Sequence, residues 1–195
     1  MKIEIERGGD YLARYAARLR AIGEYEAQKA LANALNRAGT SAFGKVRTAL
    51  SSHLGIKYSS LGLTRALRKK GAWMDDLEFK IIATGRHFGM IHAKGVRTVK
   101  STRMVAGRPK VFRQLYASAW NVPRAYPGAF IGKAAGGPQI FVRNGADRLP
   151  VRVVWGPSVP TELLREPAVT VWEEAIEDTL PKRLEHEVSR LFDKL

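Results

Sequence analysis

The stretch that decides the fold is QIFVRNGADRLPVRVVWGPSVP, residues 139–160. It holds two short runs rich in β-branched and aromatic side chains, residues 140–142 and 151–155, which are typical of strands. Between them the pair Asn144-Gly145 tolerates positive φ and therefore suits a chain reversal. Gly156-Pro157 and Pro160 end the second run, because proline has no amide hydrogen to donate to a neighbouring strand. The stretch predicts a β-hairpin with a longer loop and a rigid exit.

The sequence before this hairpin predicts helices. Residues 1–6 alternate between charged and apolar side chains and predict a short edge strand. Asp10 is a suitable N-cap for a helix whose apolar face recurs every three or four residues, at Leu12, Tyr15, Ala16, Leu19 and Ile22. A longer, alanine-rich pattern follows at Ala27, Ala30, Leu31, Ala34, Leu35, Ala38, Ala42, Val46 and Leu50. Leu54-Gly55 is a helix-terminating pair, so this pattern predicts a long helix that ends there.

The sequence after the hairpin predicts one amphipathic helix over residues 166–195. Its apolar positions are Trp172, Ile176, Leu180, Leu184, Val188 and Leu191. Pro181 is expected to kink or restart this helix. We expect this helix to pack on its own domain. Because its first half is acidic, the alternative is that it pairs with a basic surface of a neighbouring subunit.

These elements define a single α+β domain over residues 1–195, a length that suits one hydrophobic core. Residues 1–75 form a helical N-terminal part with a long helical hairpin. Residues 76–160 form a β-rich part with a mainly antiparallel sheet, including a predicted strand at residues 77–84. Residues 161–195 form the C-terminal amphipathic helix.

The net charge of +15 is concentrated in one part of the chain. Residues 27–146 carry 21 lysines and arginines against Asp75, Asp76 and Glu78, a net charge of +18, and the remainder of the chain carries −3. An acid-poor block of this length favours a polyanionic partner, because each neutralised phosphate releases counterions. A solvated surface and an acidic protein partner are the alternatives.

Within this block, residues 94–113 form a predicted basic arm. Gly107-Arg108-Pro109 suits the turn of a flexible hairpin or loop, and residues 111–120 suit its returning strand. The arm either lines a nucleic-acid channel or wraps a neighbouring subunit, and both readings stay open. The candidate contacts to DNA or to a subunit are Lys94, Arg97, Lys100, Arg103, Arg108, Lys110 and Arg113.

A second arrangement for DNA binding spans residues 24–70. The long helix, a glycine-containing turn and a predicted second helix over residues 56–70 are similar to a helix-turn-helix. That second helix would carry Arg65, Arg68, Lys69 and Lys70. The alternative function is therefore a basic DNA-binding protein.

The sequence contains no pattern that predicts catalysis, a cofactor or a metal. His87 and His92 have no carboxylate neighbour between Glu78 and Asp147, and there is no cysteine to supply a thiolate ligand. The glycines of residues 132–137 lack P-loop spacing, and neither G-x-S-x-G nor H-E-x-x-H occurs. No apolar run approaches the roughly 20 residues of a membrane span. We therefore predict a protein that is not an enzyme, needs no cofactor or metal, and has no membrane partner.

Six segments, in order along the chain, carry a resemblance to a known family. They are residues 34–39 (ALNRAG), 54–58 (LGIKY), 128–131 (GAFI), 141–143 (FVR), 148–151 (RLPV) and 156–160 (GPSVP). Together they resemble the prophage minor tail protein Z family. The resemblance marks as structural positions Phe130, Phe141, Arg143, Arg148, Pro150, Gly156 and Pro157.

Members of that family are tail-completion or neck proteins of phages with long non-contractile tails. The resemblance implies a virion structural protein at the head-proximal end of the tail, which makes the tail competent to join the DNA-filled head. It implies assembly in the host cytoplasm, then a place in the virion beside other tail and head–tail connector proteins. A homo-oligomeric ring that contacts DNA through its backbone is the matching expectation.

Overall fold

The computed structural model describes residues 3–5, 24–59, 61–85, 87–134, 136–145 and 147–193. The helices are α1 (Glu24–Leu54), α2 (Leu61–Ala66), α3 (Val159–Leu163) and α4 (Ala168–Phe192), and a 3-10 turn spans Met90–His92. The strands are β1 (Ile3–Ile5), β2 (Leu67–Lys70), β3 (Lys80–Ala83), β4 (His87–Gly89), β5 (Lys94–Val105), β6 (Arg108–Ala119), β7 (Val122–Tyr126), β8 (Ala129–Ala134), β9 (Gly137–Arg143), β10 (Val151–Val153) and β11 (Trp155–Ser158).

Helices α1 and α4 pack against each other along their lengths in antiparallel orientation. The first half of α1 shares a core cluster with Leu180, Leu184 and Val188, and its second half shares another with Trp172 and Ala175. The alanines of α1 make this close packing possible, because a methyl side chain lets two helix backbones approach. The long helix and its end are confirmed, with φ +64° at Gly55.

Helix α4 packs on its own domain, as expected. Pro181 was predicted to kink or restart the helix, and because the helix runs without interruption from Ala168 to Phe192, the restart is wrong. Leu180 and Leu184, on either side of the proline, are buried against α1. That burial holds both halves of the helix on one surface.

The predicted helical hairpin is not found among the described residues. The helix predicted over residues 12–22 lies outside them. The helix predicted over residues 56–70, which was to form the hairpin with the long helix, is reduced to α2, because residues 67–70 form strand β2 and pair with β3. The helical partner of α1 is the C-terminal helix α4. The α+β class, with an N-terminal helix, mainly antiparallel sheets and a C-terminal helix, is confirmed.

The strands form small antiparallel sheets with the orders β1-β3-β2, β5-β6-β7 and β10-β9-β8, and a β11-β4 pair. The predicted edge strand at the N-terminus is β1, and the predicted strand at residues 77–84 is the shorter β3. The hairpin of residues 139–160 is confirmed, with Val151 opposite Arg143 and Val153 opposite Phe141.

The exit of that hairpin differs from the prediction. Residues 155–158 do not leave the sheet region but form β11, which pairs with β4. The register shifts between Trp155 and Ser158, so Gly156 and Pro157 sit at an irregularity where proline is tolerated. A third core cluster, which includes Leu115, Ala117 and Ile140, lies beneath the base of β6 and β9.

Candidate nucleic-acid interface

The predicted basic arm is a long β-hairpin made by β5 and β6. Their register runs without a break from Arg97 opposite Tyr116 to Val105 opposite Arg108. Ala106 and Gly107 form the two-residue turn with φ +51° and +75°. Positive φ at both central positions matches the right-handed twist of the flanking strands, which explains the tight reversal at this point.

Only the base of the hairpin belongs to the core. Leu115, Ala117 and Ala119 are buried there, and β7 pairs with this part of β6. From Arg97 to Arg113 every side chain is exposed, and the seven candidate basic residues are all in the exposed class. Seven residue pairs extend beyond buried Leu115. At ~3.3 Å per residue they project about 23 Å.

The register divides the cations between two faces, because side chains alternate along a strand and paired residues share a face. One face carries most of them and is called the basic face: Lys94, Arg97, Arg103, Arg108 and Lys110. Lys94 is assigned to it through its partner Ser118, across a bulge between Lys94 and Arg97. The opposite face carries Lys100 opposite Arg113 and is otherwise largely apolar near the tip.

Aromatic rings interleave with the cations of the basic face. The Arg97 guanidinium lies 5.7 Å from the centre of the Tyr116 ring. Arg103 and Lys110, which are cross-strand partners, lie 5.9 and 5.8 Å from the Phe112 ring. Directly opposed cations repel each other, and their attraction to the aromatic rings offsets this repulsion.

Among the residues that the structure describes, no carboxylate forms an ion pair with this surface. The sequence has no acidic residue between Glu78 and Asp147, and none of the described ion pairs involves a hairpin cation. Elsewhere several carboxylates form ion pairs: Arg37 Nη1 lies 2.7 Å from buried Glu187 Oε1, and Lys70 Nζ lies 2.9 Å from Asp76 Oδ2. The Lys70 hydrogen bond holds the pKa of Asp76 below its ordinary value. A hydrogen bond from Lys182 lowers the pKa of Asp178 in the same way.

The structure gives some of the residues marked by the family resemblance clear packing roles. Phe130 stacks on Phe141 with ring centres 5.8 Å apart, and the Arg143 guanidinium lies 4.8 Å from the Phe130 ring. A Cβ at Gly156 would meet the Phe88 ring at 2.9 Å, so that position needs a glycine. The Pro150 carbonyl accepts a hydrogen bond from the Asn144 amide at 3.2 Å. Arg148 is exposed, and Pro157 lies in β11.

The helix-turn-helix interpretation of residues 24–70 is wrong. Arg68, Lys69 and Lys70 lie on β2, opposite Ile82, Ile81 and Lys80 of β3. Only Arg65 remains on α2, whose six residues are too few for a recognition helix that spans a major groove. The residues favour a helix by local propensity, and pairing with β3 overrides that preference.

Sequence reasoning missed an aromatic groove between α1 and the turn that follows β2. It encloses about 420 Å³ and is lined on one side by Tyr25 and Lys29 and on the other by Trp73 and Met74. The indole of Trp73 is 70% exposed and the ring of Tyr25 is 58% exposed. A tryptophan between apolar and acidic residues in GAWMDD was the available signal.

Metal-ligating side chains and apolar helices also bear on the kind of site that the described residues form. No group of three or more histidine, cysteine or acidic side chains in this part of the chain is placed to hold a metal ion. His87 Nδ1 lies 2.9 Å from the Gly156 carbonyl oxygen. Across the same ranges, no helix combines the length and apolar character that a membrane span requires.

A domain whose main exposed feature is a projecting basic and aromatic hairpin has the features of a binding or assembly protein. The chain matches the prophage minor tail protein Z family over residues 15–193 and belongs to that family. It is therefore a structural protein of a phage tail, and the family resemblance of the six segments is confirmed. Neither the curated proteins nor the solved structures gave a match.

Proposed function

We propose that this tail protein completes the head-proximal end of the phage tail and makes it competent to join the DNA-filled head. The observation that carries the proposal is the basic hairpin, whose seven exposed cations have no acidic residue near them in sequence. The head-proximal end is the part of a tail that meets packaged DNA. A polycation with no counter-charge of its own is suited to that position.

Contacts at this site are with the DNA backbone rather than with base edges. Side-chain positions on one face of a strand recur every ~7 Å, whereas duplex DNA carries a phosphate charge every ~1.7 Å along its axis. Each cation therefore finds a phosphate at any register of the duplex. Arginine adds a planar fork of donors that matches phosphate oxygens. This arrangement lets DNA of any sequence lie against the hairpin.

The protein works as a homo-oligomeric ring, in contact with other tail and head–tail connector proteins. Head-to-tail contacts between identical subunits close into a ring when their rotation permits. A ring places one copy of the hairpin at each repeat around the channel, so the local cation concentration is multiplied by the number of subunits. The subunits assemble in the host cytoplasm and then become part of the virion.

Electron microscopy of lysates made without this chain tests the proposal. We expect filled heads that are not joined to tails of normal length, or joined particles that are not infectious. Expression of the wild-type chain in trans should restore infectious particles, which controls for effects on neighbouring genes. Normal infectious virions in the absence of the chain would refute the proposal.

A further inference from the structure

The groove beside Trp73 is formed by a turn that hydrogen bonds hold in a fixed conformation. The Trp73 amide donates to the Asp76 carbonyl at 2.9 Å, and the Asp76 amide donates back at 3.1 Å. Asn36 of α1 donates to the Ala72 carbonyl at 2.9 Å and accepts from the Ala72 amide at 2.8 Å. The first two hydrogen bonds close the turn and the two from Asn36 fix it to the long helix, so an exposed indole is displayed at low entropic cost.

The chemistry of the groove disfavours DNA as its occupant. The acidic residues within residues 27–146 are Asp75, Asp76 and Glu78, all in the segment that carries Trp73. Asp76 is bridged to Lys70 and Glu78 to Lys80, whereas Asp75 is exposed and is not bridged to a described lysine or arginine. The lining lysine, Lys29, lies 5.8 Å from the Tyr25 ring, and the unbridged carboxylate of Asp75 follows Met74 directly in the chain. The aromatic lining with this carboxylate next to it suits a partner that is apolar and cationic.

The hairpin carries such a surface on the face opposite the basic face, named here the Met104 face. Met104 is 68% exposed and Val111 is 57% exposed, and Pro109 lies directly opposite Met104. Lys100 and Arg113 are paired on the same face, toward the base. The face is therefore an apolar tip with two cations behind it. A two-stranded ribbon with exposed apolar side chains is marginally stable alone and gains from a partner.

We propose that the Met104 face of one copy docks in the Trp73 groove of a second copy. Met104 and Val111 enter against the Trp73 indole, and the cations at the base of the arm lie toward Asp75. The contact is heterologous, because it joins two different surfaces, the hairpin of one copy and the groove of the next. Each copy therefore keeps its own groove free for the hairpin of another copy. It deepens the proposed function, since it rests on the homo-oligomer in that proposal. The basic face is left uncovered for DNA.

Cysteine cross-linking tests the contact, because the chain has no cysteine of its own. Met104→Cys protein is mixed with Met74→Cys protein, which places the second thiol in the groove, under mild oxidation. Docking raises the effective thiol concentration toward millimolar, so we expect roughly tenfold more mixed disulfide than with the control. The control partner is Leu149→Cys, a position 69% exposed and away from the groove. Equal yields with both partners would overturn the proposal.

Matched tryptophan variants supply the second test. Trp73→Ala is compared with Trp155→Ala, a tryptophan 57% exposed on β11, by sedimentation velocity. We expect Trp73→Ala to weaken self-association by roughly 10- to 100-fold, as a buried interface tryptophan does, and Trp155→Ala to leave it unchanged. A Trp73→Ala variant that associates normally but melts at a lower temperature would overturn the proposal and assign the groove to contacts within one copy.

Charge exchange separates docking from folding. Asp75→Lys and the double variant Lys100→Glu/Arg113→Glu should each weaken association, and a chain carrying all three changes should recover it. Absence of recovery would contradict the proposed pairing. At protein concentrations where both chains are monomeric, DNA binding by Trp73→Ala is expected to equal that of the wild type, because the basic face is untouched. Intact cross-linking together with normal virions from lysates lacking the chain would instead refute the proposed function and leave the contact standing.

Discussion

The two faces of the hairpin allow the DNA contact to be tested with two variants of equal charge. Arg103→Gln/Lys110→Gln removes a cross-strand pair from the basic face, and Lys100→Gln/Arg113→Gln removes the neighbouring pair from the Met104 face. Each variant loses two positive charges. Each also relieves one like-charge contact across the strands, and the basic-face variant in addition loses the contacts of both cations with the Phe112 ring.

The expected magnitude follows from the number of phosphates that the basic face can neutralise. Five cations lie on that face. With a slope of about −0.9 per phosphate, log K against log salt should fall with a slope of about −4.5 for the wild-type chain. Removing two of the five leaves a slope of about −2.7. Between 50 and 200 mM salt, affinity should therefore drop about 500-fold for the wild type and about 40-fold for Arg103→Gln/Lys110→Gln.

Fluorescence anisotropy of a labelled duplex, titrated at a series of salt concentrations, measures these slopes. The Met104-face variant is expected to keep a slope near −4.5, because its cations do not face the DNA. Duplexes of unrelated sequence should give the same values, since the contacts are with the backbone. Equal loss of slope in both variants, or no loss in either, would refute the division of the hairpin into a DNA face and a subunit face.

Two further predictions concern the described fold. Gly39→Ala should lower the free energy of unfolding by about 1–3 kcal/mol in urea denaturation, because the new Cβ would lie 2.3 Å from the Phe79 ring. Gly44 lies in the same helix with open space around it, so Gly44→Ala should raise the free energy of unfolding by about 0.5–1 kcal/mol, because alanine favours a helix more than glycine does. A change of the same sign in both variants would contradict the packing around Gly39. Lys70→Met should raise the pKa of Asp76 toward its ordinary value in an NMR titration. The pKa of Asp76 is lower in the folded chain than in the unfolded chain. The stability that this pair contributes is therefore present above the unfolded-state pKa and is lost as pH falls through the folded-state pKa. An unchanged pKa of Asp76 in Lys70→Met would argue against the Lys70 contact.

The parts of the fold that local patterns specify were predictable. The alanine spacing of α1, its end at Gly55 and the β9–β10 hairpin around Asn144-Gly145 each follow from side-chain periodicity and turn chemistry. The assignment of residues 67–70 to a helix failed, because Leu, Arg and Lys favour helices while β3 offers these residues strand partners. Pairing over that distance leaves no local signal.

The candidate site was predictable in composition but not in geometry. The sequence showed the cations of residues 94–113 and the turn at Gly107, but not that the register places Arg103 and Lys110 on one face and Lys100 and Arg113 on the other. The register of these pairs is set by the turn at Ala106-Gly107, whereas the sequence predicted the turn at residues 107–109, and a shift of one residue moves a side chain to the opposite face. The Trp73 groove was missed because it forms between α1 and a turn that is distant in sequence.

The place of this chain in the virion tests the central proposal most directly. Cryo-electron microscopy of intact phage particles, labelled with an antibody raised against the chain, locates it along the tail. The proposal predicts label at the head-proximal end, at the junction with the head, and label on the same end of free tails. Label along the tail tube or at the distal tip would contradict it.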